Sequence, residues 1–497
     1  MVVEGCSGTS MPPRAAVESA RSSPAAPRLL RWNNTYREAE LYKAAVRVYT
    51  KPLFQWRKAL HTSTDGKTLY DLAADGLRGL EALHRLLRHG GFEFRPAVAL
   101  KYNFNGKRRT LYIPPWEERI VDLLLYRLLN RKLHRWFSPN SYAYRNHSHG
   151  LDQCQRNIAQ SLRSTKGPRY LVKRDISEYF ASVNHESLLD KLAQLVDEDD
   201  YLFRLLEQRV RFAYDDEAGG HRAEVGIPFG CASACLFANI YLTELDRRAE
   251  SIPGVSYFRY ADDILMFSTE REATVQAAEC LHAELTKLRL TTKSSHQLDL
   301  LLACDRVPDP QFAAVSQFRH LGLLFRTSGE VALSRDKRRK IQNLFRFAFR
   351  RARRRWKRLA EPVERARTLA AIAAEIVEKG VRNVAILDYY LKHVSDESQL
   401  PQLDRWLAEE VLSLVFGGHK KGHFSKITFE QLRQMGLPSL VHRRRQILNG
   451  RIASPFFIWQ RQKATRAFRG TVARLLRTQG ANATFSPVPE AAATKRP

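Results

Sequence analysis

Hydrophobic residues follow two different periods along this chain, and each period predicts a different element. Leucines recur at helical spacing between residues 41 and 90 and again in WEERIVDLLLYRLLNRKLHRWF (116–137). Apolar and polar residues instead alternate in FEFRPAVALKYNFNGKRRTLYIPP (92–115). This alternating segment predicts two strands joined at Asn105-Gly106, a dipeptide typical of tight hairpins.

Strands and helices alternate irregularly in the middle of the chain. RYLVKRDISEYFASV (169–183) contains a short apolar strand that ends at Asp175, and SYFRYADDILMFS (256–268) predicts two strands around an Ala-Asp-Asp turn. Helical spacing covers three further segments, 185–213, 233–250 and about 270–288. Further strands are expected near 313–333. This order favours an α+β fold over a doubly wound parallel sheet.

The composition becomes strongly basic after residue 334. The segment RDKRRKIQNLFRFAFRRARRRWKR (335–358) carries thirteen basic residues and one acid, and a helical, basic pattern continues to about residue 470. The whole chain of 497 residues has a formal net charge of +29. An excess of this size indicates a polyanionic partner, nucleic acid before membrane.

Two other features narrow the class of protein. No apolar run reaches the length of a transmembrane helix, so no membrane partner is expected. The six cysteines are scattered without a C-x-x-C pair, which favours a reducing cytoplasm over a disulfide framework or a zinc knuckle.

The Ala-Asp-Asp turn places two like charges next to each other. Asp262 and Asp263 repel and lose hydration if they are enclosed, and a divalent cation relieves both costs. Mg²⁺ prefers carboxylate oxygens, keeps some waters and commonly bridges substrate phosphates. Asp175, at the end of another predicted strand, could complete a site for two ions about 4 Å apart that serves phosphoryl transfer.

Several segments resemble the reverse transcriptases of bacteria, in the group II intron-like lineage, and occur in family order over about residues 100–326. FRYADDILMF is similar to the family signature, and RDISEYFASVNHESLL to the first palm aspartate motif. The other similar segments are RTLYIPPWEERIVDLLLYRLLNRKL…FSPNSYAYRNHSHG for the fingers, GIPFGCASACLFANIYLTELD for the following loop and helix, LRLTTKSSH for the lysine motif and FRHLGLLF for the primer grip.

The resemblance implies a right-hand polymerase, with an antiparallel palm sheet and helices. Residues 31–330 would form fingers and palm, 331–400 a helical basic thumb, and 401–470 a C-terminal helical RNA-binding region. Residues 1–30 and 471–497 are expected to be a disordered leader and tail.

The resemblance also implies a catalytic metal site. Asp175, Asp262 and Asp263 would hold two Mg²⁺ ions, or Mn²⁺ in their place. Asp175 and Asp262 would do most of the ligation, and the backbone carbonyl of Ile176 could add a ligand. The reaction would be attack of a primer 3′-hydroxyl on the α-phosphate of a dNTP.

The remaining implied site residues bind nucleotide, primer or nucleic acid. Arg109 would hold the triphosphate with help from Lys101 or Lys107, and Phe180 would be the steric gate that excludes ribonucleotides. The other implied residues are Phe229, Gly230 and Lys293 for the nucleotide, Tyr260, Leu321 and Gly322 for the primer grip, and Arg119, Arg145, Arg350, Arg351 and Arg354 for nucleic acid. Three of these residues have an alternative interpretation without a functional role. Phe180 could be a core residue, Lys293 a solvated surface residue, and Arg119 a member of a structural ion pair.

One motif departs from the family pattern. The family has Gln in a PQG turn, whereas this chain has Phe229 in PFG, and Ser233 is followed by Ala234 where the family has Pro. Gly226 and Gly230 still allow close backbone approach to a nucleotide. The lost amide makes a specialised template or product more plausible.

The leading hypothesis is an RNA-directed DNA polymerase that uses dNTPs and a dedicated noncoding RNA, in bacterial antiphage defence in the cytoplasm. A template-independent or protein-primed DNA polymerase of the same fold and a group II intron maturase are the alternatives. A non-enzymatic RNA chaperone disagrees with the three aspartates, and an RNA-templated RNA polymerase disagrees with Phe180. Homo-oligomerisation stays open.

Overall fold

A computed structural model of the protein describes residues 29–450, except 51–61, 64, 75, 105–106, 146–148, 295–296, 304–308 and 380–385. Almost all of the predicted leader (1–30), the whole predicted tail (471–497) and the end of the predicted RNA-binding region lie outside the described residues.

Twelve strands are present in the described part of the chain. In chain order they are β1 Ala97–Phe104, β2 Lys107–Ile113, β3 Arg169–Asp175, β4 Ala213–Asp216, β5 Gly219–Arg222, β6 Ser256–Tyr260, β7 Asp263–Ser268, β8 Leu298–Leu302, β9 Ala313–Val315, β10 Gln317–His320, β11 Leu323–Arg326 and β12 Val331–Leu333.

Helices surround these strands and make up most of the chain after residue 334. In chain order the described helices are α1 Trp32–Thr35, α2 Glu38–Thr50, α3 Leu69–Ala74, α4 Gly76–Arg88, α5 Trp116–Lys132, α6 Leu151–Ser164, α7 Tyr179–Ser182, α8 His185–Ala193, α9 Tyr201–Val210, α10 Ala232–Tyr241, α11 Thr243–Glu250, α12 Arg271–Lys287, α13 Arg335–Arg351, α14 Arg353–Lys357, α15 Pro362–Lys379, α16 Ile386–His393, α17 Gln399–Phe416, α18 Phe429–Gln434 and α19 Leu440–Leu448, with a 3₁₀ turn at Lys421–Ser425.

The central sheet has five strands in the order β6-β7-β3-β8-β9. All of its pairs are antiparallel except β8 with β9. Both faces of the sheet are buried, because Ile264 and Met266 join one hydrophobic core while Leu265 and Phe267 join a second. A strand buried on both faces needs apolar residues at every position, which explains the unbroken ILMF run.

The first core lies on one side of the central sheet, chiefly among helices α5, α8, α9 and α10. The second core joins the other face of the central sheet to the helices after residue 334. Within α13, Ile341, Phe345 and Phe349 repeat every four residues and are buried in this second core, so the arginines between them lie on the remaining faces of the helix. One helix therefore combines core packing with a basic surface.

A second sheet has the order β2-β1-β4-β5. The β1–β2 hairpin pairs from Val98 with Ile113 to Phe104 with Lys107, as the alternating sequence predicts. The β4–β5 hairpin joins this sheet through a short parallel pairing with β1.

The predicted α+β class is confirmed. The segment 185–213, predicted to be helical, forms the two helices α8 and α9 and ends in the first residue of β4. The Asp200 side chain accepts a hydrogen bond from the backbone N–H of Leu202 at 2.8 Å and so begins α9 as its N-cap. Asp is a preferred N-cap residue, so a new helix begins after this position.

Candidate active site

The three predicted catalytic aspartates meet at one end of the central sheet. Cα pairing across β3 and β7 sets Asp175 opposite Asp263. The two-residue connection of β6 to β7 consists of Ala261 and Asp262, and Ala261 has a φ of 59°, which is uncommon for a residue with a side chain. The backbone N–H of Ile176 donates to the carbonyl oxygen of Asp262 at 3.1 Å, which holds the turn against the end of β3.

Two lysines lie against these carboxylates. The Lys293 ammonium forms an ion pair with Asp175 and donates to the carbonyl oxygen of Ile176 at 3.2 Å. The Lys173 ammonium lies 3.6 Å from Oδ1 of Asp263. Lys293 is therefore in contact with two of the predicted metal ligands. The alternative of a solvated lysine, which the sequence had left open, does not describe this side chain.

Burial and mutual repulsion disfavour the charged forms of the paired acids. Burial raises the pKa of Asp262, and the charge of nearby Asp175 raises it further. Burial raises the pKa of Asp263 to about 6; Lys173 opposes the rise, and Asp175 and Asp262 add to it. A cation at this end of the sheet would relieve both aspartates.

The carboxylate oxygens at this site suit a hard divalent cation that also binds water and substrate. Oδ1 of Asp263 is buried and has no hydrogen-bond partner within the described ranges. Among the residues that the structure describes, no three His, Cys, Asp or Glu side chains are placed so that together they could hold a metal ion, so water and substrate oxygens would have to complete the ligand set. Mg²⁺ suits such a site, because it usually takes only one or two carboxylates together with waters and substrate phosphates.

The fingers arginine and the predicted steric gate meet through Phe229. The Arg109 guanidinium lies 5.2 Å from the centre of the Phe229 ring, and this ring meets Phe180 edge to face at 5.6 Å. Phe180 also meets Tyr144 edge to face at 6.0 Å. Phe229, at the position where the resemblance predicts Gln, thus joins the β1–β2 hairpin to α7.

Close packing fixes the backbone around Phe229. The N–H of Tyr112 donates to the carbonyl oxygen of Phe229 at 3.0 Å. Gly230 has a φ of 108°, which residues with a side chain rarely adopt, and a Cβ atom there would also press against the Leu111 side chain. Asp122 secures the next helix, because its carboxylate accepts from the backbone N–H of Ala232 at 2.5 Å.

Lys101 does not lie beside Arg109, contrary to the prediction. Arg109 is the cross-strand partner of Tyr102, so their side chains share one face of the β1–β2 hairpin and Lys101 leaves the opposite face. On that face the charge of Lys101 helps to lower the pKa of Asp216. The main cause of the lowered pKa is the hydrogen bond that the backbone N–H of Ala218 donates to the Asp216 carboxylate. The Lys107 side chain lies outside what the structure describes.

The predicted primer grip is the tight turn between β10 and β11. Leu321 and Gly322 occupy it with φ values of 46° and 82°. The side-chain amide of Gln155 donates to the carbonyl oxygen of Leu321 at 2.9 Å and so ties the turn to α6. Tyr260, at the end of β6, is half-buried and packs against the second core. A nucleic-acid role for these residues stays a prediction.

Two of the predicted nucleic-acid arginines have internal partners. The Arg145 guanidinium donates to the carbonyl oxygens of Ser138, Ser141 and His134 at 2.5, 2.9 and 2.6 Å, which gives it a structural role. Arg119 packs over Trp116 at 4.6 Å and donates to Pro114, and within the described ranges it forms no ion pair with an acid. The expected structural ion pair of Arg119 is therefore replaced by contacts with an aromatic ring and a carbonyl.

The predicted thumb arginines are presented differently. Arg350, Arg351 and Arg354 are exposed at the end of α13 and in α14, on the polar side of an element whose apolar side is buried. This arrangement leaves their guanidinium groups accessible to phosphate.

Two residues at the site were missed by the sequence reasoning. Lys173 and His320 both approach Oδ1 of Asp263, the latter with Nδ1 at 3.5 Å. Lys173 lies two residues before Asp175, and strand alternation could have indicated that both side chains share a face. His320 carried no signal beyond its place in FRHLGLLF, because only the packing of β10 against the central sheet brings it to Asp263.

Comparison with known proteins identifies the domain that contains this site. Residues 101–322 match the family described as reverse transcriptase (RNA-dependent DNA polymerase). The chain carries a reverse transcriptase domain. The reverse transcriptase domain runs from β1 to the turn after β10 and so includes the three aspartates, Phe229 and the predicted primer grip.

Curated relatives share this reverse transcriptase domain at low identity. The chain is 26% identical over 287 residues to Protein YkfC of Escherichia coli K12, covering 49% of this chain and 74% of the relative. It is 24% identical to the Retron Ec83 reverse transcriptase of E. coli, covering 38% and 58%, and 24% identical to the group II intron-encoded protein LtrA of Lactococcus lactis, covering 36% and 30%. The chain thus spans less than two thirds of the retron and intron proteins.

Solved structures of telomerases are also similar to the chain. Telomerase from Candida albicans with a fragment of telomeric RNA has 10% identity and a TM-score of 0.42, covering 70% of this chain and 67% of that one. Apo telomerase from Candida tropicalis has 10% identity and a TM-score of 0.41, covering 78% and 66%.

The family, the fold class and the enzyme class predicted from the sequence are confirmed. The described part of the chain has a mixed α and β fold of the right-hand polymerase type, and residues 101–322 form a domain of the RNA-directed DNA polymerase class that is similar to retron and group II intron-encoded proteins of bacteria. RNA is the template and DNA the product for this class. None of the described helices combines the length and apolarity that a membrane crossing needs.

Proposed function

We propose that the reverse transcriptase domain synthesises DNA by two-metal phosphoryl transfer at Asp175, Asp262 and Asp263. The observation that carries this proposal is the register that sets Asp175 opposite Asp263, with Asp262 next to it in the turn. Two Mg²⁺ ions, or Mn²⁺, would activate the primer hydroxyl and stabilise the leaving pyrophosphate oxygens. The protein itself supplies position and charge.

Lys293 has a defined part in this site. Its ammonium contacts Asp175 and the Ile176 carbonyl, which are the atoms proposed to hold metal. With those oxygens engaged by cations, the Lys293 ammonium would be free to pair with the pyrophosphate that leaves. The backbone bond from the Lys293 N–H to the Asp175 carbonyl oxygen, 2.8 Å long, keeps the residue at the site in both arrangements.

The nucleotide pocket is formed by Arg109, Phe180, Phe229 and Gly230. Arg109 binds the triphosphate, because a guanidinium forms paired hydrogen bonds with phosphate oxygens. Phe180 lies beside C2′ of the sugar and leaves no room for a hydroxyl group, so dNTPs are selected over NTPs. Phe229 holds both side chains, as its contacts with the guanidinium and the ring indicate.

Primer and template are held outside the pocket. Tyr260, Leu321 and Gly322 form the primer grip. Residues 31–330 act as fingers and palm, 331–400 as thumb and 401–470 as an RNA-binding region. Exposed Arg350, Arg351 and Arg354, together with the net charge of +29, support phosphate contacts along the thumb.

The biological role proposed for the protein is synthesis from a dedicated noncoding RNA in bacterial antiphage defence, in the cytoplasm. Similarity to a retron reverse transcriptase supports the partnership with a noncoding RNA. Phe229 in place of the family Gln supports the second candidate, a template-independent or protein-primed DNA polymerase. Similarity to an intron-encoded protein supports the third, a maturase.

Replacement of two aspartates tests the catalytic site. Asp262→Ala combined with Asp263→Ala is expected to reduce dNTP incorporation on an RNA template and DNA primer to background, while RNA binding in a gel-shift assay persists. The matched control is Asp215→Ala with Asp216→Ala, since this second Asp-Asp pair lies exposed in the β4–β5 hairpin. DNA synthesis by the first variant would show that the site lies elsewhere.

Sequencing of RNA and DNA bound to the native protein tests the role. A small RNA encoded next to the gene supports the noncoding-RNA hypothesis, whereas intron lariat supports the maturase. Incubation with single dNTPs and no template tests the second candidate, which is excluded if no product forms.

A further inference from the structure

His320 is a fully buried polar residue at the end of β10. Its side chain has no exposed surface, and within the part of the chain that the structure describes neither ring nitrogen has a hydrogen-bond partner. Leaving a buried polar group unpaired carries the full desolvation penalty of that group. A histidine retained under this cost needs an explanation other than packing, because leucine or phenylalanine would fill the space without it.

The nearest acceptor is Asp263. Nδ1 of His320 lies 3.5 Å from Oδ1 of Asp263, and this oxygen is itself buried without a hydrogen-bond partner within the described ranges. Lys173 approaches the same oxygen at 3.6 Å from β3. Two unsatisfied buried groups therefore face each other at the end of the catalytic sheet.

The tautomer of His320 follows from the geometry of the pair. In a neutral imidazole one ring nitrogen carries the N–H and the other accepts, and Nδ1 is the ring nitrogen that lies 3.5 Å from Oδ1 of Asp263. An ionised carboxylate only accepts hydrogen bonds. The tautomer with the proton on Nδ1 is consequently the one that can bind Asp263.

We propose that His320 is a positioning residue for Asp263: its Nδ1–H directs Oδ1 of the carboxylate and leaves the other oxygen for a divalent cation. The proposal depends on the function proposed above for Asp263. At 3.5 Å the contact is longer than an optimal hydrogen bond, and polymerase side chains of this kind are expected to tighten when substrate binds. Partners outside the ligand shell that orient metal ligands commonly change metal affinity 10- to 100-fold when removed.

The position of His320 in the chain adds a consequence. It immediately precedes Leu321 and Gly322, the turn proposed to grip the primer. One short segment then touches the primer on one side and orients a catalytic carboxylate on the other. Correct seating of the primer would thereby favour the metal-binding orientation of Asp263.

Three substitutions at His320 separate positioning from packing. His320→Asn keeps a donor where Nδ1 lies, His320→Gln moves it towards the place of Nε2, and His320→Leu removes it. The primary measurement is Mn²⁺ binding to the full chain, without nucleotide, followed by electron paramagnetic resonance. His282→Asn, on the exposed side of α12, is the matched control.

We expect His320→Leu to weaken Mn²⁺ binding about 10-fold or more, His320→Gln to do the same, and His320→Asn to stay within about 3-fold of the wild type. Equal Mn²⁺ affinity of the Leu variant and the wild type would overturn the proposal, as would equal affinities of the Asn and Gln variants. The Asn and Gln comparison still decides the matter if His320→Leu does not fold, which thermal unfolding in EDTA reveals. DNA synthesis by the wild type is measured in parallel: its absence counts against the proposed function, while the Mn²⁺ comparison continues to report on His320.

Discussion

Neutralising Asp263 should stabilise the metal-free protein while it abolishes catalysis. Burial raises the pKa of the Asp263 carboxyl to about 6 from an ordinary value of 3.8, because the side chain is only 23% exposed; Lys173 opposes the rise, and Asp175 and Asp262 add to it. Each pKa unit corresponds to about 1.4 kcal/mol, so the ionised side chain destabilises the fold by roughly 3 kcal/mol at neutral pH. Asp263→Asn removes that penalty with little change of shape.

The sign of this effect can be followed with pH. Above about pH 6 the side chain is ionised in both the folded and the unfolded states, and the folded state bears the full penalty. As the pH falls below 6, the folded wild type takes up a proton that the unfolded chain does not, so the wild type gains stability relative to Asp263→Asn. The advantage of the variant should be largest at pH 8, fall to about half at pH 5, and disappear below about pH 4.

Thermal unfolding in EDTA at pH 8 and pH 5 measures the prediction. We expect the unfolding temperature of the Asp263→Asn variant to lie a few degrees above that of the wild type at pH 8. For a chain of this size, each kcal/mol of stability shifts the unfolding temperature by at most roughly 2–4 °C. Saturating Mg²⁺ should stabilise the wild type more than the variant, because a ligand stabilises the state that binds it. The control is Glu279→Gln, which replaces an exposed carboxylate on α12 and should leave the unfolding temperature unchanged at pH 8 and at pH 5. A variant that is less stable than the wild type at pH 8, or an advantage that does not shrink at pH 5, would refute the reasoning.

Three further substitutions probe the nucleotide pocket. Phe180→Val should raise the ratio of ribonucleotide to deoxynucleotide kcat/KM, and an unchanged ratio in single-nucleotide extension would argue that Phe180 only packs. Phe229→Leu removes the ring beneath the Arg109 guanidinium, so the KM for dNTP should rise about 2- to 5-fold in steady-state kinetics; an unaltered KM would mean that the ring does not hold the arginine. Gly230→Ala forces a Cβ to 2.4 Å from Leu111 at a φ of 108° and should cost roughly 1–3 kcal/mol in urea unfolding, whereas a tolerated alanine would contradict the close approach.

The sequence by itself determined the elements and their chemistry. Alternation and the Asn105-Gly106 turn predict the β1–β2 hairpin, and the ILMF run predicts a strand even though its cause, burial on both faces, is visible only in the fold. The residue order around Asp175, Asp262 and Asp263 was sufficient to indicate the family. These are local signals, since each depends on neighbours a few positions away.

Only the tertiary structure decided which side chains meet. Strand register placed Asp175 opposite Asp263. The alternation of side chains along β1 placed Lys101 on the face of the hairpin away from Arg109. Packing of β10 against the central sheet brought His320 to Asp263 across 57 residues of chain, and the fold turned Arg145 into a structural residue. Such contacts join segments distant along the chain, and their geometry depends on register and layer packing, which hydrophobic spacing within one segment does not specify.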